Sequence, residues 1–143
     1  ADIYGNLYNW YAVDDIRGVC PEGWHVPSYE EFTQLTDFIA PEGIEGWGNS
    51  VAGGKMKECI EGSCPESDYW NSPNTDATTE SGFTALPSGY YSDEGFKHQD
   101  STGYFWSSDA NQALGQFLDA ESERLIPIPS SKSSFYSIRC LKD

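Results

Sequence analysis

Four cysteines, at positions 20, 59, 64 and 140, are the first residues able to do chemistry. Three pairings are open to them. Cys59 and Cys64 lack the tight two-residue spacing of a zinc site and have no histidine beside them, which argues against zinc. A reactive thiolate needs a nearby cation or helix N-terminus, whereas Glu58, Glu61 and Glu66 surround this pair. The two histidines, His25 and His98, stand alone along the chain. Neither lies in a motif that would orient it toward a nucleophile. His25, between Trp24 and Val26, is read as a packed histidine. Asn71, Asn74, Asp76 and Glu80 crowd oxygen donors into one short stretch. Calcium draws about six to eight oxygens from loops of this kind. These four are therefore its candidate ligands, with Asx turns as the competing reading and no EF-hand spacing present. Carboxylates are too numerous for a catalytic pair to stand out.

The elements that must position these residues are unevenly legible. Residues 3–13 are aromatic and β-branched and are expected as a strand. The helix expected at 28–39 has Ser28 as N-cap, Glu31 three residues on to complete a capping box, and Phe32, Leu35 and Ile39 on one face. Pro41 and Gly43 end it. A second short helix is expected at 51–58, capped by Ser50 and weakened by Gly53 and Gly54. From Cys59 to Gly103 there is almost no periodic signal, although Phe83, Leu86, Tyr90 and Tyr91 suggest internal packing. Short strands are expected at 104–107, 114–119 and 124–128, with Pro127 placing the third at an edge or a bulge. Residues 135–141 alternate, with Tyr136, Ile138 and Cys140 on one face and Ser137 and Arg139 on the other. The order is that of an α+β domain of two helices, small antiparallel sheets and a long loop region, spanning residues 1–143 as one unit.

Composition narrows the partners. The chain has 143 residues, 23 acids against eight bases, and a net charge of −15. That field repels phosphate backbones, so nucleic acid is not expected as a partner. Five Trp and nine Tyr argue against disorder. No apolar run is long enough to span a bilayer, so no membrane insertion is expected. Residues 1–5 have neither a basic nor an apolar leader region, and no signal peptide is read in this chain, although one removed from a precursor is compatible. Few Met, four Cys and abundant Gly, Asn and Ser give the look of an exported domain with disulfides.

Four segments carry a longer pattern. They are Tyr8-Asn9-Trp10-Tyr11-Ala12-Val13 with Gly18-Val19-Cys20-Pro21-Glu22-Gly23-Trp24-His25-Val26-Pro27-Ser28; Trp70-Asn71-Ser72-Pro73-Asn74 leading into Glu80-Ser81-Gly82-Phe83-Thr84-Ala85-Leu86-Pro87-Ser88-Gly89-Tyr90; Gly103-Tyr104-Phe105-Trp106-Ser107-Ser108; and Ser137-Ile138-Arg139-Cys140-Leu141-Lys142-Asp143. Over nearly the whole chain this resembles the Fibrobacter succinogenes major paralogous domain, a family related to the formylglycine-generating enzymes and the C-type-lectin-like fold. The resemblance implies a C-type-lectin-like domain with its N- and C-terminal strands paired. It also implies export, as a module of a larger secreted or surface-displayed bacterial protein. It names no ligand. Related folds often carry calcium in the long-loop region.

Two disulfides are expected on this basis, Cys20–Cys140 and Cys59–Cys64. Formylglycine-generating enzymes bind copper with a late cysteine pair five residues apart. Cys59 and Cys64 have that spacing but precede the Trp70 motif, so an oxidase is the alternative rather than the expectation. Trp10, Trp24, Phe83 and Trp106 lie in the motifs and are read as core. Trp47, Trp70, Tyr91 and Tyr104 are read as surface aromatics suited to stacking on a sugar. The resemblance is weakest over residues 111–134, so Asn111, Gln112, Gln116, Glu121 and Arg124 are expected to orient a ligand there. The reading is a non-catalytic recognition module for carbohydrate or protein, with a structural spacer as a further alternative.

Overall fold

The computed structural model describes residues 3–109 and 111–143. The aromatic N-terminal segment does not run as one strand. A two-residue strand, β1 (Tyr8–Asn9), passes directly into a single helical turn, α1 (Trp10–Val13). The switch follows from Asn9, whose side chain accepts from the Ala12 N–H at 3.2 Å as an N-cap. After β2 (Trp24–His25) comes α2 (Tyr29–Ile39), where the expected capping box is complete. Ser28 Oγ accepts from the Glu31 N–H at 3.1 Å, and Glu31 Oε2 accepts from the Ser28 N–H at 2.9 Å. Phe32 is buried, and Leu35 and Ile39 pack against the same core. A short 3₁₀ turn (Pro41–Gly43) closes the helix.

The second helix is shorter than expected, α3 (Ala52–Met56), and Ser50 is not its cap. Asn49, fully buried, does that work: its Oδ1 accepts from the Val51 and Ala52 N–H groups, and its Nδ2 donates to the Thr36 and Ala40 carbonyls. Gly53 and Gly54 lower helix propensity, but close approach requires them. A Cβ on Gly53 would lie 2.2 Å from the Arg124 carbonyl oxygen, and one on Gly54 would lie 2.5 Å from that of Asp76.

The remaining strands form three small antiparallel sheets. One has the order β1–β8–β3–β4, where β3 is Tyr90–Ser92, β4 is Gly95–Lys97 and β8 is Phe135–Tyr136. The β3–β4 hairpin lies inside the stretch that shows no sequence periodicity. A three-stranded sheet joins β5 (Thr102–Ser107), β6 (Leu114–Asp119) and β7 (Ile126–Pro129), and Pro127 sits on its edge strand as expected. The last pair joins β2 to β9 (Leu141–Lys142). Residues 135–141 are thus two short strands. Their alternation is broken because Ser137 is buried, where its hydroxyl meets that of Ser88 at 2.8 Å.

The two ends of the chain are paired twice, Tyr8 with Tyr136 and Trp24 with Lys142. The Cys20–Cys140 and Cys59–Cys64 disulfides are both formed. Trp10, Trp106 and Tyr136 anchor one core cluster; Phe32, Met56, Trp70, Phe105 and Leu118 anchor the other. Trp24 is not core: it is 45% exposed beside the chain ends. His25 is not packed either. It bridges two carboxylates, Nδ1 to Asp143 Oδ1 at 2.6 Å and Nε2 to Glu31 Oε1 at 2.9 Å. Among the described residues no helix is long and apolar enough to cross a membrane.

Candidate functional site

A polar cleft of about 540 Å³ opens between the long-loop region and the end of β6. Its walls are Asn71 and Ser72, the segment His98–Thr102, and Asp119–Glu121. Each wall is held by backbone bonds. The Asn71 N–H donates to the Asp100 carbonyl at 2.7 Å, and the Ala120 N–H to that of Ser101 at 2.9 Å. The Asn71 amide also donates to Ser101 Oγ at 3.1 Å. His98 and Asp100 adopt left-handed conformations, with φ of 55° and 67°. Such backbone is uncommon outside glycine, and here it folds the segment back along the cleft. The His98 ring stacks on Tyr90 at 5.9 Å between centroids, and Tyr4 Oη donates to the Asp100 carboxylate from the N-terminal segment.

The third wall is fixed from inside the protein. Lys57 is fully buried, and its Nζ donates to the Asp119 and Ser122 carbonyls, both at 2.9 Å. Burial pulls its pKa down to about 8, against the opposing charges of Asp119, Asp76 and Glu123. Beside it, burial and then the Asp76 charge raise the pKa of Glu123. The Asp119 carboxylate closes the turn outside by accepting from the Glu121 N–H at 2.7 Å. Asp119 and Glu121 therefore stand on a turn clamped from both sides, and they share the cleft with the Asn71 amide and the Ser101 hydroxyl, while Thr102 Oγ1 donates to the His98 carbonyl at 3.2 Å.

A second, apolar cleft of about 320 Å³ lies on the outer sheet, lined by Leu7, Tyr91, Phe96 and Phe135 with Gly5 and Asn6. Tyr91 packs edge-on against Phe96 and Phe135 at 5.0 and 5.4 Å. Phe96 is 72% exposed.

Of the residues read as ligand contacts, Glu121 lines the polar cleft, where it meets Asn71, read as a calcium candidate, and Tyr91 lines the apolar cleft. The others lie elsewhere. Trp70 is 4% exposed, and its Nε1 donates to the Ala85 carbonyl at 2.8 Å. Tyr104 is stacked on Tyr136 at 4.8 Å, and burial pushes its pKa up to about 12. Gln116 is 1% exposed in the middle of β6, with its Nε2 lacking a partner. Trp47 stacks on Tyr29 and donates to the Pro127 carbonyl. Arg124 is exposed but ion-paired to Glu45. Asn111 and Gln112 are exposed just before β6 begins, whereas Glu121 follows its end. Residues 111–134 thus do not gather on one face.

Of the four candidate calcium ligands, Asn74 is buried, with its Nδ2 donating to the Glu58 and Pro65 carbonyls and its Oδ1 without a partner among the described residues. Asn71 bonds Ser101, Glu80 pairs with Lys55, and Asp76 lies beside Glu123. Each has a separate partner rather than a shared centre. Among the described residues no cluster of three or more His, Cys, Asp or Glu is placed to hold a metal ion.

Sequence reasoning missed His98, Asp119 and Lys57. The spacing of Lys57 from a polar turn more than sixty residues away carries no local signal. Asp119 had one, its place at the end of the strand expected at 114–119. Residues 1–142 match the model of the Fibrobacter succinogenes major domain. No curated protein and no solved structure matches the chain.

Proposed function

From the premise that the chain belongs to the Fibrobacter succinogenes major domain family, we propose that it is an exported, non-catalytic recognition module whose polar cleft binds a neutral carbohydrate. The observation that carries this is the convergence of Asn71, His98, Asp119 and Glu121 on one open cleft with hydrogen-bonded walls. Sugar hydroxyls both donate and accept, and the cleft offers carboxylate acceptors together with amide and hydroxyl donors. The two carboxylates, within a chain of net charge −15, disfavour acidic glycans there.

The paired ends and the long loop region support a C-type-lectin-like fold. Both disulfides support export into an oxidising compartment, as a module of a larger surface or secreted protein. They also favour a recognition module over an oxidase, because no cysteine is free. A protein ligand is the second reading, favoured by the exposed Tyr91–Phe96–Phe135 face.

A glycan array, run with and without EDTA, tests the first reading. Neutral glycans bind, EDTA leaves binding intact, and Glu121→Ala with Asp119→Asn abolishes it. Binding that survives both substitutions refutes this cleft as the site.

A further inference from the structure

A third cleft, of about 360 Å³, lies on the other side of the Gly5–Asn6 segment from the apolar one and differs in charge from the rest of the molecule. Its lining includes Tyr4, Asn6, Tyr8, Ser137 and Arg139, and no Asp or Glu. In a chain with 23 acids and eight bases such a lining is unusual. Six of the other seven cations are already engaged. Arg17, Lys55, Lys97 and Arg124 are ion-paired, Lys57 is held by backbone carbonyls, and Lys132 lies over the Trp10 ring. The seventh, Lys142, is exposed on β9 and does not line the cleft. Arg139 has no carboxylate partner among the described residues; its guanidinium lies 4.5 Å over the Phe83 ring.

That contact covers one side of the guanidinium and leaves donors free for a planar, two-oxygen acceptor. Arg139 is exposed as a residue, yet its head group is desolvated enough for burial to lower its pKa. The backbone beneath it is fixed on both sides. Cys140 is joined to Cys20, and Ser137 is hydrogen-bonded to β5 through the Tyr104 carbonyl and the Trp106 N–H, both at 3.0 Å.

We propose that this cleft is a carboxylate-binding site, in which Arg139 takes the carboxylate of a small organic acid and Asn6 and Tyr8 flank the body of the ligand. The site is separate from the polar cleft and does not depend on the carbohydrate reading. The carboxylate has two chemical sources, an acidic sugar or a peptide C-terminus, and the probes distinguish them.

The test is a titration of the ¹⁵N-labelled full chain, followed by amide shifts. The probes are sodium glucuronate and N-acetylphenylalanine, each against its uncharged amide. One acid is expected to shift the Asn6, Ser137 and Ile138 amides saturably while leaving Asn71 and Glu121 still, and its amide should bind at least about tenfold more weakly. Arg139→Gln should remove the shifts, and Arg139→Lys, which keeps the charge but loses the fork, should weaken binding without abolishing it. If the Gln variant fails to fold, the Lys variant and the wild type titrated in rising sodium chloride decide. Weakening by salt supports the site. Equal binding of acid and amide, no shift with either acid, or binding insensitive to both salt and Arg139→Lys overturns it.

Discussion

Replacing Lys57 by Met is the sharpest test of how the polar cleft is built. The side chain is fully buried, and its folded pKa of about 8 lies below the ordinary lysine value of 10.5. At 1.36 kcal/mol for each pH unit, holding the ammonium inside the fold costs about 3 kcal/mol relative to the neutral amine. The sign follows from proton counts. Between pH 8 and 10.5 the unfolded chain binds a proton at Lys57 that the folded chain does not, so wild-type stability rises with pH across this window. Below pH 8 both states are protonated and the full cost is present. Met removes the charge cost but also leaves the Asp119 and Ser122 carbonyls without their donor, at about 1 kcal/mol each. At pH 7 the charge cost exceeds the lost hydrogen bonds, and Lys57→Met should be stabilising by about 1 kcal/mol. At pH 10 about 1 kcal/mol of the charge cost persists, and Lys57→Met should be destabilising by about 1 kcal/mol. Urea unfolding of both proteins at pH 7, 8, 9 and 10 reads this directly. A wild-type-minus-variant difference that stays flat across the series refutes a desolvated, charged Lys57 beneath the turn.

Three further outcomes are expected. Ser28→Ala should cost about 1 kcal/mol of stability by loss of the α2 capping box, read as a lower urea midpoint; an unchanged midpoint would remove that cap from the account. Opening Cys20–Cys140 by paired Ser substitution should cost up to about 4 to 5 kcal/mol on the chain-entropy model, because 120 residues separate its ends. The Cys59–Cys64 link, five residues apart, should matter less, and equal losses in thermal unfolding would contradict the model. The Asp143 and then the Glu31 hydrogen bonds raise the His25 pKa, so its contribution is complete below the ordinary value of 6.5 and fades as pH rises through the folded value. His25→Gln should flatten that part of the stability–pH curve, and an unaltered slope would show the bridge to be inert.

What was legible depended on how local the cause was. The α2 helix was readable because its cap and its apolar stripe lie within twelve residues of sequence. Strand β6 was readable to the residue because its turns flank it closely. The β3–β4 hairpin was hidden because strands of three residues are too short to show a period. Trp70 was misread as a surface aromatic because it stands in a loop. Its Nε1 reaches the Ala85 carbonyl only after that loop folds back over the core. Gln116 was misread because a polar residue in a strand is ordinarily on the solvent face, and here both faces of β6 are covered. Asn71 was named for calcium and Glu121 for a ligand, and their meeting in one cleft required the pairing of Ala120 with Ser101, which no local pattern encodes.

The bond between Cys20 and Cys140, beside the β2–β9 pair, also sets how the domain behaves under mechanical load. Pull applied between a point before Cys20 and a point after Cys140 reaches the covalent link after peeling only the segments outside it. Residues 21–139 form a closed loop off the line of force and bear no extension while the link holds. The polar cleft draws all of its lining residues from that loop. Tension on the chain ends would therefore strip β1 and α1 first, with Trp10 leaving its core cluster, while the polar cleft stays behind the link until a reductant cuts it.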